Sequence, residues 1–468
     1  MPAGASGATG KTSSIAAGIF RQYDIRGVVG KDLTIDAALQ IGRAYAIYLT
    51  EHGKRGAVSV GRDNRPSGDA LRAALVQGLT ESGFDVIDIG IVPTPLLYWS
   101  LHHLDVVGGI QITGSHNPPE YNGFKLSVGR ESLHGHDILS LYDIIQRGIV
   151  PARTAGTVRL QAITERYVDD IVERIGRLSR PMRAVIDCGN GVGSIVAEQL
   201  LSRLGLQGSY IFCESDGTFP NHHPDPTVPE NLVDLIDAVR REKADIGIAF
   251  DGDADRIGMV DERGTIVWGD HVLILYARDV LARTGQGQPV IFDVKCSQAL
   301  PDAITAAGGT PVMWRTGHSL IKDKMRELNA PVAGEMSGHM FFAEGFYGHD
   351  DALYGAARLL RIVADSGKSV SGLLSDVPHF VSTPELRVDC PDELKFGIVN
   401  DAVKHFKSLY DVIDVDGARV LFGDGWGLIR ASNTQPILVT RYEARTEERL
   451  SAIRAEMEKW LRSRGIRV

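Results

Sequence analysis

Apolar positions in this chain alternate between two spacings. From Thr34 to Thr50 the residues Ala37, Ile41, Tyr45 and Tyr48 recur every three or four positions, which predicts a helix with one buried face. Short apolar runs at Ala57–Gly61, Phe84–Ile89 and Val106–Ile112 predict strands. Gly68–Ser82, with Ser67 as its cap, and Thr94–Leu104 predict the helices between them. Glu120–Lys125 reads as a short polar segment, and Gly148–Gly156 as a linker. A second unit begins with helix Ile163–Ile175 and strand Arg183–Asp187, and helices near Ser194–Leu204 and Glu230–Glu242 bracket another strand before Asp245–Phe250. The third unit is predicted as helix Asp270–Ala282, strand Pro289–Asp293, helix Ser297–Ala307, strand Pro311–Arg315, helix Ser319–Leu328, strand Ala330–Gly334 and helix Asp351–Ala364. Gly367–Gly372 reads as a second linker. The remaining chain has fewer strand–helix–strand signals and ends in a helix around Glu447–Arg462, so a smaller α+β unit is expected there. The resulting division is 1–160, 161–264, 265–370 and 371–468.

Composition narrows the class. A chain of 468 residues fits roughly three domains at ~150 residues each, and four small ones without strain. The net charge of −9 argues against nucleic acid or an anionic membrane as the main partner, so an anionic ligand needs a locally basic site. Cys188, Cys213, Cys296 and Cys390 lie far apart without a CxxC pair, and they read as small core residues of a reducing compartment. No apolar run approaches the ~20 residues of a membrane span, and the Gly/Ala/Ser/Thr-rich first fifteen residues lack a signal-peptide core. The expectation is a cytoplasmic monomer with a floppy amino-terminal tail.

Three strands run directly into unusual loops. The first gives Ile112-Thr113-Gly114-Ser115-His116-Asn117-Pro118-Pro119. Here Gly114 is expected to free the backbone to turn, the prolines to stiffen it, and Ser115 to stand in the open, with His116 assisting its hydroxyl as a nucleophile. The competing reading is a turn whose hydroxyl bonds its own backbone. The second loop, Asp251-Gly252-Asp253-Ala254-Asp255-Arg256, is the strongest signal. In an extended loop, carboxylates at alternate positions converge on one face and repel each other without a cation. Oxygen-only donors favour Mg²⁺ over Zn²⁺, and the remaining ligands of an EF-hand are missing. Arg256 is placed to neutralise a phosphate beside that metal. The third loop, Gly334-Glu335-Met336-Ser337-Gly338-His339, sets a carboxylate and a hydroxyl two residues apart, suited to neighbouring sugar hydroxyls. Near the carboxyl end, Arg430-Ala431-Ser432-Asn433-Thr434 combines a guanidinium fork with short donors, which suits a phosphate. Gly189–Gly193 contains GxGxG but lacks the later glycine of a dinucleotide loop. Asp350 and Asp351 read as helix caps.

Taken together and in this order, TGSHNPP, DGDADR, GEMSGH and RASNT resemble the α-D-phosphohexomutases, specifically the bacterial phosphomannomutase/phosphoglucomutase branch. The resemblance runs from the Tyr23-Asp24-Ile25-Arg26-Gly27 segment to the last helix. It implies three related α/β domains with mixed sheets plus a smaller C-terminal α+β domain around a central cleft, each domain contributing one loop. It further implies a phosphoserine at Ser115, Mg²⁺ ligands at Asp251, Asp253 and Asp255 with Ser115, sugar readers at Glu335 and Ser337, and a phosphate clamp at Arg430, Ser432, Asn433 and Thr434. Lys125 and Arg26 match positions near the phosphoserine, in acid–base or charge-neutralising roles, with a solvated surface lysine as the alternative for Lys125. Lys295, Thr316, Gly317, His318 and His339 fall at strand ends where they can contact the substrate, with a helix-start role as the alternative for His318 and His339, and Tyr23 is the aromatic partner for the sugar, with a core tyrosine as the alternative. Ala254 stands where many relatives have glycine. The implied activity interconverts the 1- and 6-phosphates of mannose and glucose through a reorienting 1,6-bisphosphate (glucose or mannose), which also serves as activator. A phosphoglucosamine mutase, a Mg²⁺-dependent phosphatase and a non-catalytic sugar-phosphate sensor are the alternatives.

Overall fold

The computed structural model describes residues 15–148, 154–433 and 435–468. Thr434, most of the amino-terminal tail and the middle of the Gly148–Gly156 segment lie outside the described residues. Four sheets carry the chain. In the first, Ile25–Val28, Tyr121–Val128, Gly108–Ile112, Ala57–Arg62, Asp85–Ile91 and Val158–Leu160 lie side by side in that order. Its central strands run parallel, while Tyr121–Val128 runs antiparallel to both of its neighbours. The second sheet joins parallel strands Arg183–Asp187, Gln207–Ile211 and Ile246–Phe250 to antiparallel Ile257–Asp261. The third joins parallel Thr310–Trp314, Pro289–Asp293 and Val332–Gly334 to antiparallel Met340–Phe342. The fourth, around Gly425–Ala431 and Ile437–Ala444, is antiparallel throughout.

The mixed sheets follow from the connections. Helices such as Ile35–Glu51 and Gly68–Glu81 return the chain to parallel strands, whereas the short loops after Ile112, Phe250 and Gly334 allow only an antiparallel neighbour. Each short loop therefore sits at a strand's carboxyl end, where such sheets place their ligands. Thr34 caps its helix by accepting a hydrogen bond from Ala37 N at 3.1 Å. One apolar core spans the second and third domains and reaches Trp99 of the first, which fixes those units against each other. Among the described residues, no helix is long and apolar enough to cross a membrane.

Several expectations are corrected. The polar segment expected at Glu120–Lys125 is, from Tyr121 onward, part of an eight-residue strand, Tyr121–Val128, whose interior is buried: Phe124 and Leu126 enter the core, Asn122 bonds Ser67 and Lys125 reaches Asp253. Ser67 makes no capping bond to its helix; its hydroxyl accepts from Asn122 Nδ2 at 2.9 Å. Gly367–Gly372 is no free linker, since Val370–Leu373 forms a helical turn, Val370 is fully buried and Ser371 N donates to Glu262 at 3.2 Å. Cys188 and Cys213 are joined as a disulfide, because Arg183–Asp187 and Gln207–Ile211 are neighbouring strands that end together. Cys296 and Cys390 are buried free thiols.

Candidate active site

The loop after strand Gly108–Ile112 is built around two residues the motif analysis passed over. Asp63 accepts from Thr113 Oγ1 at 2.8 Å and from Gly114 N at 3.1 Å, and Thr113 Oγ1 in turn accepts from Ser115 N at 2.8 Å. Arg65, 3% exposed, donates to four carbonyls of the same loop: Ser115 at 2.8 Å, Asn117 at 2.6 Å, Pro118 at 2.5 Å and Tyr121 at 3.0 Å. This explains Gly114 differently from the sequence reading. The left-handed residue is Ser115 itself, with φ of 50°, whereas a Cβ on Gly114 would sit 2.4 Å from the Arg65 guanidinium carbon. Ser115 is also not in the open. It is 2% exposed, because the metal-type loop of the second domain lies over it, so close that a Cβ on Gly252 would meet Ser115 O at 2.5 Å.

The three aspartates converge, but not by strand alternation. Residues 251–255 form a tight turn in which Asp251 Oδ1 accepts from the amides of Asp255 and Arg256, each at 3.1 Å, and Ala254 takes a φ of 57°. Asp251, Asp253 and Asp255 are fully buried, and each offers a carboxylate oxygen within 4.8 Å of the others. Among the described residues, Oδ1 of Asp253 and of Asp255 has no hydrogen-bond partner. Three hard oxygen donors with unpaired buried atoms fit a divalent cation. Ser115 Oγ lies 3.2 Å from Asp251 Oδ2 and 3.2 Å from His116 Nδ1. Lys125 Nζ bonds Asp253 at 2.9 Å and also Asp255. Lys125 is therefore no surface lysine: against the downward pull of burial, Asp253 and Asp255 hold its pKa well above the usual range. Burial, with Arg256 and Arg26 nearby, pushes the pKa of His116 well below its usual value, which favours the uncharged ring. Burial and the two other carboxylates push Asp251 well up. Arg26 pairs with Asp24 and donates to Asn117 Oδ1 at 2.6 Å, which brings it to the edge of the same loop.

The sugar-type loop joins this centre through backbone. Ile257 N donates to Gly338 O at 3.1 Å, and His339 forms a bridge with Arg256, whose Nε donates to His339 Nε2 at 3.0 Å. Glu335 and Ser337 also share a turn rather than an extended run: Gly338 N donates to Glu335 O at 3.0 Å, and Ser337 Oγ lies 3.3 Å from Glu335 Oε2. Glu335 Oε1 accepts from Gly317 N at 2.5 Å, and burial raises its pKa. Tyr23 crosses from the first domain to donate to Thr316 O at 2.6 Å and to accept from Asn433 Nδ2 at 2.6 Å, with its ring 6.3 Å from that of His318. It therefore ties three domains together. Lys295 pairs with Glu385 at 3.1 Å, and Arg430 with Asp416 at 3.0 Å. Ser432 Oγ accepts from Gln435 N within its own loop at 3.1 Å.

Asp351 caps its helix by accepting from Tyr354 N at 2.8 Å, but Asp350 does not cap. It is fully buried between Lys322 and His339, because Asp350 bridges back to Phe341 beside the sugar-type loop. Asp63, Arg65, Asp350, Lys322, Glu385 and Asp416 were thus missed as site residues. The first two carried a usable signal, a charged Asp-x-Arg directly after a buried strand.

Comparison with known proteins agrees with this construction. Four domain models match in order: phosphoglucomutase/phosphomannomutase alpha/beta/alpha domain I over residues 17–147, domain II over 165–264, domain III over 268–380, and the C-terminal domain over 385–459. A phosphomannomutase/phosphoglucomutase of Pseudomonas aeruginosa is 46% identical over 456 residues, 97% of this chain and 98% of that protein. A phosphoglucomutase of Neisseria gonorrhoeae is 47% identical over 445 residues, 94% and 96% of the two chains. The crystal structure of a phosphoglucomutase/phosphomannomutase family protein from Burkholderia thailandensis superposes with a TM-score of 0.89 at 42% identity, covering 96% of this chain and 98% of that one. With four domains matched in sequence order and close likeness along nearly its whole length, the chain belongs to the phosphoglucomutase/phosphomannomutase family.

Proposed function

We propose that this protein interconverts hexose 1-phosphates and hexose 6-phosphates, of both mannose and glucose, by way of a phosphoryl group carried on Ser115. The observation that carries the reading is the placement of Ser115 Oγ 3.2 Å from Asp251, within an acidic triad, and 3.2 Å from Nδ1 of the half-buried His116. A serine monoester is a storable phosphoryl donor because its uncatalysed hydrolysis is extremely slow. Asp251, Asp253 and Asp255, with the phosphate on Ser115, would hold Mg²⁺. When bound, that ion offsets charge at the transferring group.

In the first half-reaction the free hydroxyl of the sugar phosphate attacks phosphorus as the bond to Ser115 Oγ breaks; the hydroxyl gives up its proton and Ser115 Oγ takes one up through His116 Nδ1, 3.2 Å away, leaving a hexose 1,6-bisphosphate. The sugar then turns end over end. In the second half, Ser115 Oγ attacks the other phosphate, its proton passing to His116 Nδ1, and the departing sugar oxygen is protonated in turn as the isomeric monophosphate leaves. Lys125 stays charged, so of its two expected roles the reading assigns it charge neutralisation, with Arg26 and Arg256. Glu335 and Ser337 grip sugar hydroxyls in either orientation, and Arg430, Ser432 and Asn433 hold the distal phosphate. The same reading keeps Tyr23, Lys295, Thr316, Gly317, His318 and His339 on the substrate's side of the cleft, and places Thr434 with the clamp by sequence alone.

Purified protein given glucose 1-phosphate or mannose 1-phosphate, Mg²⁺ and trace hexose 1,6-bisphosphate should yield the 6-phosphate. No product with either sugar overturns the reading, and release of inorganic phosphate at the turnover rate points instead to a phosphatase.

A further inference from the structure

Behind the cleft a single file of charged and polar groups leads from the third domain to Arg256. Lys322 Nζ lies 3.1 Å from Asp350 Oδ1, Asp350 Oδ2 lies 3.1 Å from His339 Nδ1, and His339 Nε2 accepts from Arg256 Nε at 3.0 Å. Asp350 is fully buried, His339 is 3% exposed and Lys322 6%. The arginine's terminal Nη1 and Nη2 make no hydrogen bond among the described residues, so its fork is left for the cleft. Because an arginine Nε always carries its hydrogen, the His339 Nε2 that accepts from it has none. The neutral ring must then bear its hydrogen on Nδ1, the nitrogen that faces Asp350. The same logic rules out reading Asp255, His339 and Asp350 as a second metal centre, since a metal on Nδ1 would force a hydrogen onto Nε2, against that of Arg256.

We propose that Asp350 is a positioning residue: through His339 it sets the orientation of the Arg256 guanidinium, with Lys322 anchoring the carboxylate from behind. The inference rests on the proposed phosphoryl-transfer function for Arg256's task, and on geometry alone for the file itself. The off-line contact between Asp350 Oδ2 and His339 Nδ1 leaves both atoms without a regular hydrogen bond among the described residues, which makes the ring sensitive to the charge and place of the carboxylate. Lys322 Nζ sits between Asp350 and the Tyr98 ring, 4.1 Å from the ring's centroid, and so fixes the place of that carboxylate.

The test is a double-mutant cycle in kcat/KM for glucose 1-phosphate. Asp350→Asn is expected to cost roughly 10- to 100-fold in the wild-type background. In a His339→Gln background, where the link is already cut, it should cost less than twofold. An equal cost in both backgrounds, or none in the wild type, overturns the proposal; a purely structural role would give the former. Should Asp350→Asn fold poorly, the Asp350→Asn/Lys322→Met pair removes both charges together and carries the same expectation. The ¹⁵N resonances of His339 give a second readout that needs no turnover. A hydrogen on Nδ1 and a bare Nε2 are expected, and the reverse tautomer overturns the proposal. Wild-type protein that shows the expected tautomer yet never turns over sugar phosphate would count against the function alone.

Discussion

Replacing Arg65 by Lys tests whether the Ser115 loop is held by a fork rather than by a charge. The guanidinium spreads its donors over four carbonyls at 2.5–3.0 Å and binds Asp63 through Nε at 3.1 Å. An ammonium keeps the charge but offers three donors from one point, so at least two of those five buried acceptors lose their partner. At ~1–3 kcal/mol for each unsatisfied buried group, two such groups lower stability by about 2–6 kcal/mol. Because two of the carbonyls belong to Ser115 and Asn117, Ser115, the proposed nucleophile, shifts with them. A displacement near 1 Å costs on the order of 10²-fold in rate. Steady-state assays with glucose 1-phosphate, alongside urea unfolding, measure both effects. An Arg65→Lys enzyme with turnover within twofold of wild type and an unchanged unfolding midpoint would refute the role assigned to the fork.

Three further outcomes follow from the packing. Gly338→Ala should destabilise by about 2 kcal/mol or more in denaturant melts, because the position has φ of 93° and its Cβ would meet the Ile257 carbonyl at 2.4 Å. Glu385, paired with Lys295 across the third and fourth domains, has its pKa lowered from 4.5 to about 2, chiefly by that lysine. Its depressed pKa contributes stability above pH 4.5 that fades as pH falls toward 2, so Glu385→Gln should cost about 1 kcal/mol at neutral pH, after discounting for solvent, and progressively less in acid melts. Lys125→Met leaves two buried carboxylates, Asp253 and Asp255, without their ammonium and should cost about 3–5 kcal/mol in a chelator, with a larger melting-temperature rise on adding Mg²⁺ than wild type shows.

The sequence made the loops legible because each follows a buried, mostly apolar strand, and a polar cluster at that point has nowhere to go but a sheet's ligand-binding end. Ser115 and the three aspartates stood out in that way. What it did not convey was how the loops are shaped. Convergence of Asp251, Asp253 and Asp255 comes from a turn with Ala254 in a left-handed conformation, and alternation along a strand gave the right grouping for a wrong reason. Residues acting across domains were the least visible. Tyr23 meets Thr316 and Asn433 across separations of 293 and 410 residues, and nothing local in either segment records that. Asp350 was read as a cap because it precedes a helix, yet its neighbour Asp351 performs that task and frees it to face His339. The Cys188–Cys213 pairing escaped for the same reason, since it depends on two strands ending side by side.

The central claim is that Ser115 carries the phosphoryl group that is passed to the sugar. Intact-mass and peptide analysis of the enzyme before and after incubation with hexose 1-phosphate would test it most directly. The account predicts one phosphate on Ser115 of the purified protein, part of which passes to the sugar phosphate as hexose 1,6-bisphosphate, with no phosphate and no turnover in Ser115→Ala. Full mutase activity in Ser115→Ala, or a phosphate that resides on another residue and is transferred from there, would contradict it.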